Sequence, residues 1–497
     1  MVPLKRRFYF GFRWGCIVVI LFLVAFLLAI TPALGWERSD VSASGREMSA
    51  PPRAPEHQDQ ALVPLAPNNV VHWKDPVSGN WSDPTKWDTG SVPTSSDNVF
   101  ITVAGSYAVT LDVNAEVNSL TLGGSSGAQT LSIGGPTLTL NGASTVNVNG
   151  VVNLSGGTLT GSGDLTVNGT FNWSGGTISG SGVLTVTGPL NISGNADKHL
   201  SGTLNNQGTA TWTGAGRILF NSKNVFNNQA GATFDIQTDS SASYFYGSPG
   251  SFNNAGTVTK SAGSGTTLFY AVDFNNSGAV NVNSGTLKLA GGGSDTGDFT
   301  IAAGSVLQFA GGTHSLDGVA FGGAGTVEIT SGTVNTTGGG ATVSGSATLD
   351  LSGGTLGGDG PMTVNGTFNW SGGTVSGSGA FTVNSPLNIS GSNAKYLSGR
   401  TLSNGGTATW TGTGYIYLNS GAVFDNQAGA TFDIQTDSWV DWSVGDIGHF
   451  NNAGTVTKSA GSGVAGFDVA FNNSSAVNVN SGTLKLRKGG SDTGDFT

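Results

Sequence analysis

The sequence copies itself over a long distance. Asn168 to Thr177 (NGTFNWSGGT) returns letter for letter as Asn365 to Thr374, 197 residues later. Thr209 to Gly214 returns as Thr407 to Gly412, Gln229 to Ser240 as Gln427 to Ser438, and Ser294 to Thr300 as Ser491 to Thr497. The offset rises to 198 at Arg400, a one-residue insertion, and falls back to 197 through a deletion within Gly463 to Ala470. Such self-similarity marks a repeat architecture, in which each unit packs mainly on its neighbours and the chain grows along an axis instead of around one centre.

A shorter, looser repeat runs inside the long one. Leu204-Asn-Asn, Phe226-Asn-Asn, Phe252-Asn-Asn and Phe274-Asn-Asn recur every 22 to 26 residues, and LTVNGTF at Leu165 and LTVTGPL at Leu184 lie 19 apart. Between these marks apolar and polar residues alternate, as in Leu165/Val167, Phe234/Ile236 and Leu287/Leu289, which is the period of a half-buried strand. No stretch after Gly35 carries a helical period. Coils of about 20 residues, made of short strands and Gly/Asn/Ser turns, predict an all-β chain wound as a right-handed parallel β-helix. Equivalent residues then stack about 4.8 Å apart. Phe226, Phe252 and Phe274 are expected to form an internal ladder. The Asn pairs are expected to turn corners, because Asn tolerates the left-handed conformation, and to join their amides between coils.

Composition agrees with this reading. The 497 residues include 81 Gly, only 10% are charged, and the net charge is −10. Past residue 90 stand 11 of the 20 basic residues against 22 of the 30 acids, with no basic stripe, which argues against a nucleic-acid partner. From Gly124 onward the chain predicts roughly 18 or 19 coils and a rod on the order of 85 to 90 Å.

Five regions follow. Residues 1–35 carry Lys5, Arg6, Arg7 and Arg13, the apolar run Cys16 to Ile30 and the small residues of Ala33-Leu-Gly35, an export signal with an uncleaved anchor as the alternative. Without that segment the chain has no cysteine, so disulfides play no part. Residues 36–70 hold Pro51, Pro52, Pro55, Pro64 and Pro67 and read as a disordered linker. Residues 71–123 set Trp73, Trp81 and Trp87 among turn residues, a capping β-module for the open end of the first coil, with a sugar-stacking platform as the lesser reading. Residues 124–300 and 301–497 are the two long repeats of the β-helix.

The run Gly79-Asn-Trp-Ser-Asp-Pro-Thr-Lys-Trp87, with Gly90, Pro93, Asp97 to Ile101, Val109-Thr-Leu-Asp and Val117 to Gly124, resembles the opening module of large repeat-rich bacterial surface proteins. Those are similar to autotransporter passengers and haemagglutinin-like adhesins. The resemblance implies an exported β-helix used in adhesion or as a stalk. The chain departs from it in two respects: it shows neither an Asn-Pro-Asn motif nor a C-terminal barrel, sorting signal or anchor. Because Thr497 matches Thr300 in mid-coil, the sequence is expected to be a fragment of a longer array.

Candidate chemistry is sparse. A lyase or hydrolase on this scaffold needs carboxylates gathered with Arg, Lys or His on an outer face. Of His72, His199, His314 and His449, none is kept between copies: His199 aligns with Tyr396 and His449 with Ser251, while Arg217 aligns with Tyr415. The acids are kept, Asp235 and Asp239 as Asp433 and Asp437, and Asp295 and Asp298 as Asp492 and Asp495. Oxygen ligands at that spacing suggest Ca²⁺, but no calcium-binding nonapeptide is iterated, and solvation of turns is the favoured reading. Trp173/Trp370 and Trp212/Trp410 are kept as core filling. No catalytic, cofactor or metal site is predicted. The expected function is that of an exported structural or adhesive surface protein whose partners are surface glycans or extracellular matrix. The alternative is a carbohydrate-active enzyme (polysaccharide lyase or hydrolase) or a carbohydrate-binding module.

Overall fold

A computed structural model of the chain describes residues 69–221 and 223–497. The expected export signal, and the linker as far as residue 68, lie outside the described residues. Among the described residues the only helix is a 3₁₀ turn at Pro84–Lys86, and everything else regular is strand. Every strand-to-strand ladder is parallel. On one face, strands stack in the order of the chain: Tyr107–Leu111 pairs with Gln129–Ile133, that with Gly150–Leu154, and so on through Thr170–Trp173 and Leu190–Ile192. This face contains 19 strands. Two further faces complete each turn, for example Lys198 to Ser201 and Thr203 to Asn206, which a single bent strand joins across a corner. The fold is thus a three-faced parallel β-solenoid of about 19 turns.

Alternation sets which residues point inward. In Thr170–Trp173 the residues Phe171 and Trp173 are buried while Thr170 and Asn172 are not, and the register carries Phe171 onto Leu190 and Trp173 onto Ile192 in the next turn. Like therefore stacks on like. Phe226, Phe252 and Phe274 form the expected ladder, with centroids 5.1 and 5.4 Å apart, and Phe424, Phe450 and Phe471 repeat it at 5.1 and 5.5 Å. At the corners the turns approach too closely for a side chain: a Cβ on Gly161 or on its copy Gly358 would overlap the carbonyl oxygen of Leu140 or Thr336 in the turn before, and both have positive φ.

The Asn pairs join their amides between coils as expected, but they do not turn corners. They lie in strands with ordinary extended backbone, and the only described non-Gly residues with positive φ are Lys223, Ala271 and Ser420. The second Asn of each pair is buried and donates its amide to the next, Asn206 to Asn228 to Asn254 to Asn276, each bond 2.8 Å. The first Asn stands outside in a parallel ladder, with Asn227 donating to Asn205 and Asn253 to Asn227.

Residues 71–123 do not form a separate layer. Asn69–His72 pairs with Asp97–Ile101 and that with Ser119–Leu122, so the stack begins at Asn69 and takes in the last two residues assigned to the linker. Trp73, Trp81 and Trp87 pack edge to face, with centroids 5.0 Å apart, and are buried in this first part of the stack. Their burial leaves no aromatic face of these three for a sugar.

The two long repeats are out of phase with each other. Thr170–Trp173 lies on the 19-strand face, and following that face through nine turns leads to Met362–Val364. Its sequence copy is the strand after that, Thr367–Trp370, which belongs to the next face. The repeat therefore spans nine turns and one face, so equivalent residues of the two copies point about a third of a turn apart. Val225–Asn228 stacks off the 19-strand face, whereas its copy Val423–Asn426 stacks on it.

Candidate functional site

The buried polar groups are the first candidates, and several of them hold neighbouring turns together. Lys260 occupies the inward row between Ile236 and Val282; its ammonium donates to Asp239 (2.9 Å), Thr267 Oγ1 (3.0 Å) and the carbonyls of Thr238 and Ala262. Lys458 repeats this with Asp437 at 2.8 Å and the carbonyls of Thr436 and Ala460. The Lys458 ammonium and the Gly463 N–H hold the Asp437 carboxyl below its ordinary range. A second duplicated pair, Lys198 and Lys395, is also buried, each with one bond of 3.2 Å, to Gly194 and Gly391. Burial lowers Lys395 to about 8. These lysines were overlooked in the sequence, although alternation in Thr257-Val-Thr-Lys260 puts Lys260 on the side of Val258. Arg400, the insertion, turns into the interior and binds the carbonyls of Ser376, Gly379, Ala380 and Gly360; burial brings it down to about 10.

The candidate calcium ligands do not converge. Asp295 is fully buried, and its carboxylate is 2.9 Å from His314 Nδ1, itself buried against Phe309; burial raises the Asp295 carboxyl, with His314 opposing. Asp295 therefore solvates no turn, contrary to the expectation for these acids. Its copy Asp492 is exposed and accepts from Asn473. Asp298 accepts from the Ala320 N–H, and Asp235 and Asp433 accept from Ser261 and Ser459. Among the described residues no three His, Cys, Asp or Glu side chains gather as a metal would require. Trp173, Trp212, Trp370 and Trp410 are all buried, as core filling demands.

The exterior behaves differently. Gln229 to Ser240 and Phe252 to Gly265 are identical to their copies, yet between them Ser241 to Ser251 and Trp439 to His449 share only Gly247/Gly445 and Gly250/Gly448. This divergent segment keeps an exposed apolar character, with Phe245 and Tyr246 in one copy and Val444 and Ile447 in the other. Register brings further divergent positions beside it. His199 stacks on Leu219 and Leu219 on Ser243; in the copy Tyr396 stacks on Tyr417 and Tyr417 on Asp441. Tyr396 and Tyr417 lie 5.2 Å apart and nearly parallel, and Tyr415 sits 5.9 Å from Tyr417.

Next to this cluster an open cleft is lined by Thr411, Thr413, Tyr415, Gln435, Asp437 and Ser438. Its floor is the turn Gln435 to Ser438, which follows the strand Thr431–Ile434. Asp437 is fixed by Lys458 and remains 40% exposed. In sequence terms alone, the change from Arg217 to Tyr415 is the loss of a candidate base. In the structure it is a change of wall: Arg217 is fastened to Asp197 through two hydrogen bonds, and in the copy Asp197 is replaced by Ala394 and Arg217 by Tyr415.

The chain matches no protein-family model, no curated protein and no solved structure.

Proposed function

We propose that this is an exported structural and adhesive protein that presents the flank of its solenoid to surfaces, glycans or other cells. One observation carries the reading: the segments on either side of Ser241–Ser251 and Trp439–His449 are identical between the copies while these two share only two glycines, and the divergence collects around surface aromatic residues, exposed at Phe245, Tyr246, Tyr396 and Tyr415 and half-buried at Tyr417. A passive spacer has no reason to concentrate aromatic residues outside. Loop positions on a rigid scaffold are where recognition resides, and Tyr gives a large contact area at a low entropy cost. The basic run and apolar stretch of residues 1–35 support export.

Fractionation of cells producing the full chain, together with adherence of the purified full chain to immobilised extracellular matrix and to cell surfaces, tests this. The chain is expected outside the producing cell, and substitution of Tyr396 and Tyr417 by Ser is expected to lower adherence about threefold or more. A chain that stays in the cytosol, or that adheres to neither surface, would sink the reading.

A further inference from the structure

We propose that the cleft walled by Tyr415 is a binding subsite for one uncharged sugar unit of a glycan, and that the matching position in the first copy has a different specificity. The proposal rests on the surface-contact reading above and names the ligand class for one part of the flank. A pyranose has an apolar C–H face and a rim of hydroxyls. The cleft offers an aromatic side chain for the face and, for the hydroxyls, the exposed Thr411 and Thr413 together with the Asp437 carboxylate and the Gln435 side chain, whose amide N–H also donates to Asp433.

Charge narrows the class. Asp437 is the one carboxylate in the cleft, and Lys458 at 2.8 Å already neutralises it, so the site has no spare charge for an amino sugar. An acidic sugar would meet that carboxylate and the Asp441 next to Tyr417, on a repeat region with twice as many acids as bases.

The first copy is an internal control. Thr213, Gln237, Asp239 and Ser240 reproduce the floor, and Lys260 holds Asp239 as Lys458 holds Asp437. Only the wall differs: Tyr415 and Thr413 are replaced by Arg217 and Ala215, and the Arg217 side chain is held at its Asp197 partner. Because each wall already exists on the same backbone, exchanging them should not disturb folding.

The test uses the full chain on an array of neutral, acidic and amino-sugar oligosaccharides, followed by titration calorimetry with the neutral oligosaccharide bound best. One variant carries Ala394→Asp, Thr413→Ala and Tyr415→Arg; a second carries Asp197→Ala, Ala215→Thr and Arg217→Tyr. We expect one neutral oligosaccharide per chain, a loss of affinity of about tenfold or more in the first variant, and two sites per chain in the second. Binding of no neutral oligosaccharide, binding of acidic ones alone, or an affinity unmoved by the first exchange overturns the proposal. If the chain adheres to cells but fails these tests, the sugar site is wrong and surface contact stands. If neutral-sugar binding follows the wall while adherence is absent, the sugar site stands and the broader reading falls.

Discussion

At the scale of single residues, the two kinds of buried lysine separate what a charge contributes from what it costs. Lys458 has a carboxylate and two carbonyls, so removing its ammonium leaves acceptors in two turns unpaired. Lys395 has one carbonyl at 3.2 Å and no counter-ion, and burial lowers it to about 8 from an ordinary lysine value of 10.5. Between those two pH values the unfolded chain holds a proton that the folded chain has released, so stability at this residue rises as pH rises through that window. Lys395→Met should therefore stabilise the protein at pH 7 by about 1–3 kcal/mol, with a smaller gain at pH 10. Thermal midpoints of parent and variant at both pH values check this, and a lower midpoint at pH 7 would count against it. Both lysines were legible in the alternation. The Asp437 carboxylate and Thr436 carbonyl that hold Lys458 were not, because they lie in the preceding turn, 21 and 22 residues away in sequence.

At the scale of the strand, the Asn ladder shows how neighbouring turns are locked in register. The Asn254 amide donates to Asn276 and to the Ala279 carbonyl and accepts from Asn228, all within the interior. Replacing it by Leu keeps the branched shape but adds volume and takes a hydrogen-bond partner from one donor and two acceptors, at a cost of about 2–4 kcal/mol. Each turn contacts only its neighbours, so the damage should stay local. Hydrogen exchange of Asn254→Leu is expected to show lost protection in Val225–Asn228 and Asp273–Asn276 and unchanged protection near Thr367–Trp370. Uniform loss along the chain would show that turns are not independent. The Phe-Asn-Asn marks made these strands recognisable in the sequence. The use of Asn as a strand residue with its amide inward was not recognisable, because Asn is equally suited to turns and nothing local tells the two uses apart.

At the scale of the molecule, 19 stacked strands at about 4.8 Å set the axial length of the described body on the order of 90 Å. Small-angle scattering from the full chain should give a distance distribution with a tail to at least that length, whereas a compact globule of this mass would end at about 60 Å. The sequence by itself determined the strands, their inward and outward faces and their stacking, because alternation and repetition are local and additive. Only the tertiary structure decided which way each copy faces. Turns vary from 19 to 30 residues, so the angular position of a residue is the sum of every corner before it, and 197 residues come to nine turns and one face. For the same reason the cleft at Tyr415 was invisible in the sequence: its wall and its floor belong to successive turns, and only the completed winding brings them together.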